Sequence, residues 1–257
     1  MINPIEDKII ISTRPEYTED KIYQALRKEG AQVFQLPMIT LVENQLTEND
    51  MVLQQLDQYS RIVFTSHNGV KYFFKRYKEL FGNYATPTHI KFAVFGRQTY
   101  MSMAKYGKNA EIASFGKTSK DLLEVLKTKC IPEERILLAL GNLASELLEQ
   151  GLSDYKVKRI NIYQTKENTE FNSEQISRIV ENRYDLVLFT SPSGFISFKS
   201  YFEKILDLST IKIACIGETT FNAIKHAGLL PVVVANEPGA FGVTNSIKEY
   251  FNEKNNL

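Results

Sequence analysis

Two hydroxyl pairs recur at matched places in this sequence. Thr65-Ser66 lies in "FTSHNGVKYFF" and Thr190-Ser191 in "FTSPSGFISFK", 125 residues apart (190 minus 65). Each pair ends an apolar run and opens a helical one. The hydroxyls and the first free N–H groups of a helix therefore meet at the carboxyl end of a strand, the edge where open α/β sheets bind ligands. Such a helix start suits an anion, phosphate or carboxylate. Plain N-capping by Ser or Thr is the alternative for either pair taken alone. Two matched pairs on facing lobes favour a shared ligand cleft, and the second adds Ser193. A second echo sets "KFAVFGRQTYMSMAKYG" beside "KIACIGETTFNAIKHAG", aligning Gly96 with Gly217, Thr99 with Thr220 and Gly107 with Gly228. Here too a strand end offers backbone N–H groups and a hydroxyl, although a tight turn that needs glycine reads the same.

Other groups carry weaker signals. Tyr163, in "INIYQT", bears a phenol that is protonated at neutral pH and can donate to a leaving oxygen; it also fits as an amphipathic strand residue. Arg14 and Arg97 are candidates for pairing with carboxylates, or ordinary surface arginines. His67, His89 and His226 are scattered and give no metal spacing. "GKTS" at 116–119 lacks the earlier glycine of a phosphate-binding loop, since Glu111 stands there. It reads as a loop whose Thr118 or Ser119 caps the next helix. "GAFG" at 239–242 reads as a loop before a capped terminal helix. No G-x-G-x-x-G motif supports a dinucleotide site.

The elements that must hold these residues alternate. "KIIIST", "AQVFQL", "RIVFTS", "KFAVFG", "RILLAL", "RINIYQT", "DLVLFTS", "KIACIG" and "PVVVA" read as strands covered on both faces. Helical spacing separates them, often closed by glycine. The class is doubly wound α/β with parallel sheets. A third echo, "IIISTRP" against "RILLALGN", completes two lobes in a permuted order. Residues 1–36 and 166–257 form one discontinuous lobe. Residues 41–160 form the inserted lobe, and hinge strands at 35–41 and 160–167 join the two.

Composition narrows the class. The 257 residues are 43% hydrophobic and 24% charged, ordinary values for a globular protein. A net charge of +1 gives no general attraction to nucleic acid or to a membrane surface. No apolar run is long enough to span a bilayer, and "MINPIEDKIIISTRP" lacks the pattern of a secretory signal. Cys130 and Cys215 have no paired spacing, so neither a disulfide framework nor a zinc site is indicated. The expected compartment is the cytoplasm and the expected state a monomer.

Taken in order, "STRP", "FTSHNGV", "GRQT…YG", "LALGNLASELL", "INIYQT", "FTSPSGF" and "GETT…AG" resemble the uroporphyrinogen-III synthase family over essentially the whole chain. The resemblance implies two flavodoxin-like lobes joined by a two-stranded β ladder, and an enzyme without a cofactor. It implies hydroxymethylbilane, a linear tetrapyrrole with eight carboxylates, as substrate. Loss of its hydroxyl gives an azafulvene cation, and closure through a spiro intermediate inverts the last pyrrole ring. Tyr163 matches the family's proton donor. Thr65, Ser66, Thr99, Thr190, Ser191, Ser193 and Thr220 match positions that hold carboxylates, largely through backbone N–H groups; Arg14, Gly96, Gly217 and Asn142 complete the candidate set. Tyr100 and Phe221 depart from the alanine usual after the Gly-x-x-Thr threonine, and His67 from a small or apolar residue. Two other readings stand beside this one: a non-catalytic ligand sensor of the same fold, which needs no phenol, and a phosphate-handling enzyme, which needs a glycine-rich loop or metal carboxylates.

Overall fold

The structure is a computed structural model describing residues 3–15, 20–116 and 118–255. In chain order the elements are β1 (Ile9–Ser12), α1 (Lys21–Lys28), β2 (Gln32–Gln35), β3 (Ile39–Glu43), α2 (Thr47–Gln54), β4 (Arg61–Phe64) and α3 (His67–Phe81). There follow β5 (Lys91–Phe95), α4 (Arg97–Met103), β6 (Ile112–Ser114), α5 (Ser119–Lys129), β7 (Arg135–Gly141), α6 (Leu147–Gly151) and β8 (Lys156–Glu167). The last are α7 (Ser173–Val180), β9 (Leu186–Phe189), α8 (Pro192–Phe202), β10 (Ile213–Cys215), α9 (Glu218–His226), β11 (Val233–Val234) and α10 (Ala240–Asn255). Two compact units result. One is discontinuous, Met1–Thr40 with Lys166–Leu257, and the other, Leu41–Thr165, is inserted into it.

The discontinuous unit holds a sheet of order β11-β10-β9-β1-β2, parallel throughout. Counted along the chain, that is the flavodoxin-like order 2-1-3-4-5. The inserted unit holds β3-β8-β7-β4-β5-β6. If β3 is set aside, β6-β5-β4-β7-β8 repeats the first sheet strand for strand, starting at a different point of the cycle. Side-chain packing repeats as well. Phe64 meets Phe73 edge-on, with ring centroids 5.3 Å apart, and Phe189 meets Phe198 edge-on at 5.1 Å. Each sheet carries a core on both faces, which is why strands such as β1, β7 and β9 are so largely apolar. The four phenylalanines of these two pairs are 0–1% exposed, and such burial contributes about 1.5–3 kcal/mol apiece.

Each sheet has one place where the strand order reverses, with connections from its carboxyl end leaving on opposite sides. It lies between β9 and β1 in the discontinuous unit and between β4 and β7 in the inserted unit. Both Thr-Ser pairs stand there.

Several elements differ from the sequence expectation. "GAFG" is no loop: Ala240, Phe241 and Gly242 open α10, and Val243 N donates to Gly239 O. The polar stretch "TEND" folds as α2 because tertiary partners hold it. Buried Asn49 donates its amide to Asn44 O and Asn161 O, and Asp50 pairs with Arg76. The strand sought at 35–41 is β3, at 39–43, next to β8. Thr118 caps α5 in a capping box with Asp121.

Candidate functional site

In the inserted unit the site grows from the end of β4. Ser66 leaves the strand with extended backbone (φ −149°, ψ 151°) and becomes the N-cap of α3, its Oγ accepting the Gly69 N–H at 3.0 Å. Gly69 packs closely on β7, where an added Cβ would stand 3.0 Å from Ala139 O. The Ser66 hydroxyl has a second partner, the Tyr163 phenol oxygen at 3.1 Å. Two side chains 97 residues apart in sequence thus share a hydrogen.

Tyr163 reaches Ser66 through an irregularity in β8. The pairing with β7 runs residue for residue up to Leu140 with Asn161, then skips Ile162 so that Gly141 faces Tyr163. Such a bulge re-aims a side chain. Strict alternation would send Tyr163 to the face opposite Ile160 and Ile162, yet all three pack on the same core. The ring lies directly over Gly141: a Cβ there would fall 2.4 Å from Cζ and 2.7 Å from the phenol oxygen. Tyr72 of α3 stacks against the ring, centroids 5.5 Å apart and planes 21° from parallel, and donates its own hydroxyl to Leu41 O. Burial raises the Tyr163 pKa above its ordinary value, with the Ser66 hydrogen bond acting weakly against it. The phenol therefore keeps its proton through the neutral range.

The discontinuous unit repeats the cap without the phenol. Ser191 (φ −157°, ψ 151°) is the N-cap of α8 and accepts the Gly194 N–H at 3.1 Å, with Pro192 pre-set at the first helical position. A Cβ at Gly194 would stand 3.5 Å from Thr13 Oγ1. The second partner of Ser191 is the Ser193 hydroxyl, at 3.2 Å. Thr65, Ser66, Thr190, Ser191 and Ser193 are all half-buried at these strand ends.

A family model described as "Uroporphyrinogen-III synthase HemD" matches residues 20–245, most of the chain. The chain belongs to the uroporphyrinogen-III synthase family. That membership assigns it to tetrapyrrole biosynthesis, among the hydro-lyases. The "Porphyrin biosynthesis protein HemD" of Ruminiclostridium josui is 24% identical over 241 residues; the alignment takes in 91% of this chain and 47% of that protein, so the chain spans about half that relative. The rice "Uroporphyrinogen-III synthase, chloroplastic" is 24% identical over 252 residues, 93% of this chain and 80% of that protein. Among solved structures, a mutant uroporphyrinogen III synthase from the extremely thermophilic bacterium Thermus thermophilus superposes with a TM-score of 0.67 at 18% identity, over 96% of this chain and 99% of its own. At that identity the likeness establishes the two-lobed α/β fold.

The remaining candidates of this family member divide by environment. Gly96 and Gly217 are N-caps of α4 and α9 that lack side-chain caps. Thr99 and Thr220 are buried, in the first turns of these helices. Gly96 needs glycine, because its φ is +86°. Gly217 does not: its φ of 161° is extended backbone, and an added Cβ would meet nothing within 4 Å. Arg14 gives its Nε to Asp20, the buried N-cap of α1, at 2.5 Å. Asn142 closes its amide on the backbone of Thr165, Oδ1 accepting at 2.8 Å and Nδ2 donating at 3.4 Å.

Tyr100 is exposed and meets Phe115 edge-on, whereas Phe221 packs into the discontinuous core. His67 is the exposed first residue of α3. His89 Nε2 lies 3.0 Å from Asp57 O, and His226 Nδ1 2.6 Å from Asn222 O. Cys130 and Cys215 are buried free thiols. Among the described residues no group of three or more His, Cys, Asp or Glu could hold a metal, and no helix is long and apolar enough to cross a membrane. Sequence reasoning did not single out Tyr72 or Gly141. The readable signal for the second was a glycine closing an otherwise bulky strand, "RILLALG".

Proposed function

We propose that this chain closes hydroxymethylbilane to uroporphyrinogen III, with Tyr163 as proton donor. The observation that carries the reading is the Tyr163 phenol, half-buried and 3.1 Å from Ser66 Oγ at the carboxyl end of a doubly wound sheet. Ser66 already accepts the Gly69 N–H. When its own hydrogen turns to the phenol oxygen, the phenolic O–H is free to point at substrate. As the substrate's C–OH bond breaks, that proton leaves with the hydroxyl as water. The azafulvene cation left behind is attacked by the last pyrrole ring, and the spiro intermediate reopens to deliver that ring inverted. A proton released on re-aromatisation restores the phenol, so water is the net loss.

The substrate ionises readily, so the remaining task is to hold eight carboxylates in the geometry that inverts one ring, which is catalysis by positioning. Helix N-termini with free N–H groups suit carboxylates. The edges at Thr65-Ser66 and Gly96-Thr99, and at Thr190-Ser191-Ser193 and Gly217-Thr220, supply them, two in each unit. The open space at Gly217 supports close approach of a ligand to the backbone there. Arg14 and Asn142 stay in the set with part of their hydrogen-bonding capacity already used within the protein. We read the protein as a cytoplasmic monomer acting on a small molecule, with no nucleic-acid or membrane partner. The test supplies hydroxymethylbilane, oxidises the products and separates the uroporphyrin isomers. Isomer III in excess over the protein-free control is expected; a mixture equal to that control would overturn the reading.

A further inference from the structure

The phenol's aim depends on residues that take no part in the proposed proton transfer. Gly141 has no backbone need to be glycine, yet any Cβ there would overlap the Tyr163 ring at Cζ, Cε2 and the phenol oxygen. The space a side chain would fill is the space that the ring occupies. Two polar clamps fix this packing. Arg159 of β8 donates from Nη2 to Gly141 O and Ala144 O, both at 3.1 Å, and from Nη1 to both oxygens of Glu149. That ties down the turn after β7. Asn142 donates its backbone N–H to Tyr163 O at 3.2 Å, and its amide grips Thr165 from both sides. The skipped residue, Ile162, is thereby locked between clamped neighbours, and the bulge cannot slide back into register.

We propose that Gly141 is a positioning residue for Tyr163, with Asn142 and Arg159 as the clamps that hold the bulged register in which the phenol reaches Ser66. This deepens the proton-donor reading of Tyr163 and rests on it. It also gives Asn142 a different role from holding substrate. A misplacement of about 1 Å can cost roughly a hundredfold in rate, so Gly141→Ala is expected to lower turnover on that scale.

The decisive readout is separate from activity. With tyrosine ¹³C-labelled at Cζ, the Tyr163 resonance is assigned in each background as the signal lost with Tyr163→Phe, and its pH titration is followed. In Gly141→Ala the ring must leave the position it holds over residue 141, so the signal and its titration should both move from those of the parent protein. In a Tyr163→Ala background, Gly141→Ala should bring no further loss of turnover. An unmoved resonance with an unmoved titration, or an equal loss in the Tyr163→Ala background, would overturn the positioning role. If Gly141→Ala does not fold, Asn142→Ala serves: kcat should fall several-fold at constant KM, and the effect should vanish in a Tyr163→Phe background. A raised KM at constant kcat would overturn the clamp in favour of direct substrate contact. Full turnover by Tyr163→Phe would remove the proton-donor reading alone, because the resonance still reports where Gly141 puts the ring.

Discussion

The two switch points are copies of one device that have diverged at a single contact. In each, a serine N-caps a helix and accepts the N–H of a glycine three residues on. The hydroxyls differ in their second partner: Tyr163 for Ser66, Ser193 for Ser191. A phenol offers a proton donor fixed by ring packing. A second serine offers only one more small hydroxyl to a bound anion. The difference arises beyond the repeat. β2 ends at Gln35, whereas its counterpart β8 runs on to Glu167 and carries Tyr163 past the point where the repeat stops. One copy is suited to chemistry and the other to holding.

The largest effect should come from breaking that contact. Tyr163→Phe is expected to lower kcat by roughly 10²- to 10⁴-fold, the usual range for a general acid, with an unchanged circular dichroism spectrum. Ser193→Ala, its counterpart, should change kcat far less and act mainly on KM. Equal losses of kcat in both variants would end the asymmetry. Next come the caps. Ser66→Ala and Ser191→Ala should each destabilise by about 1 kcal/mol in urea titrations, since each removes an N-cap, but only Ser66→Ala should also lower kcat. The glycine pair follows. Gly96→Ala forces a side chain into a left-handed backbone and should cost about 1 kcal/mol or more, whereas Gly217→Ala should leave stability unchanged and raise KM. A destabilised Gly217→Ala would show that packing, and not a ligand, keeps that position small.

The smallest effect concerns pH. Burial raises Cys130 and Cys215 each to about 11, above the ordinary thiol value near 8.5. The unfolded chain then releases these protons first. Stability is fully present below about pH 8.5 and is lost as pH rises through about 11. Urea titrations between these limits should show the decline, and a Cys130→Ala, Cys215→Ala protein should show less of it. One thiol sits in each unit, so the single variants apportion the loss between them.

Much of the fold was legible because its signals are local. Runs such as "IVF" in β4 and "LVLF" in β9 are apolar throughout because both faces of each sheet are covered, and the serines that follow them cap helices through atoms three residues away. What stayed illegible lacked local support. The helix over "TENDMVLQ" depends on Asn49 reaching Asn161, 112 residues away. The three-residue β6 stands at the edge of its sheet, beside β5. At Arg14 and Asn142 the residue types suggested ligand contacts, but type alone says nothing of internal partners, and here Asp20 and Thr165 engage both.

By itself the sequence determined the alternation of strands and helices, the repeated strand-to-helix caps and the family resemblance, because each is written in neighbouring residues or in spacing along the chain. Only the tertiary structure decided that Tyr163 turns to the face of Ile162 and meets Ser66. Strand register is set by pairing with a distant partner. A one-residue bulge, invisible to periodicity, reverses the face a side chain takes. The glycine beneath the ring became meaningful for the same reason: its partner is near in space and 22 residues away in sequence (163 minus 141).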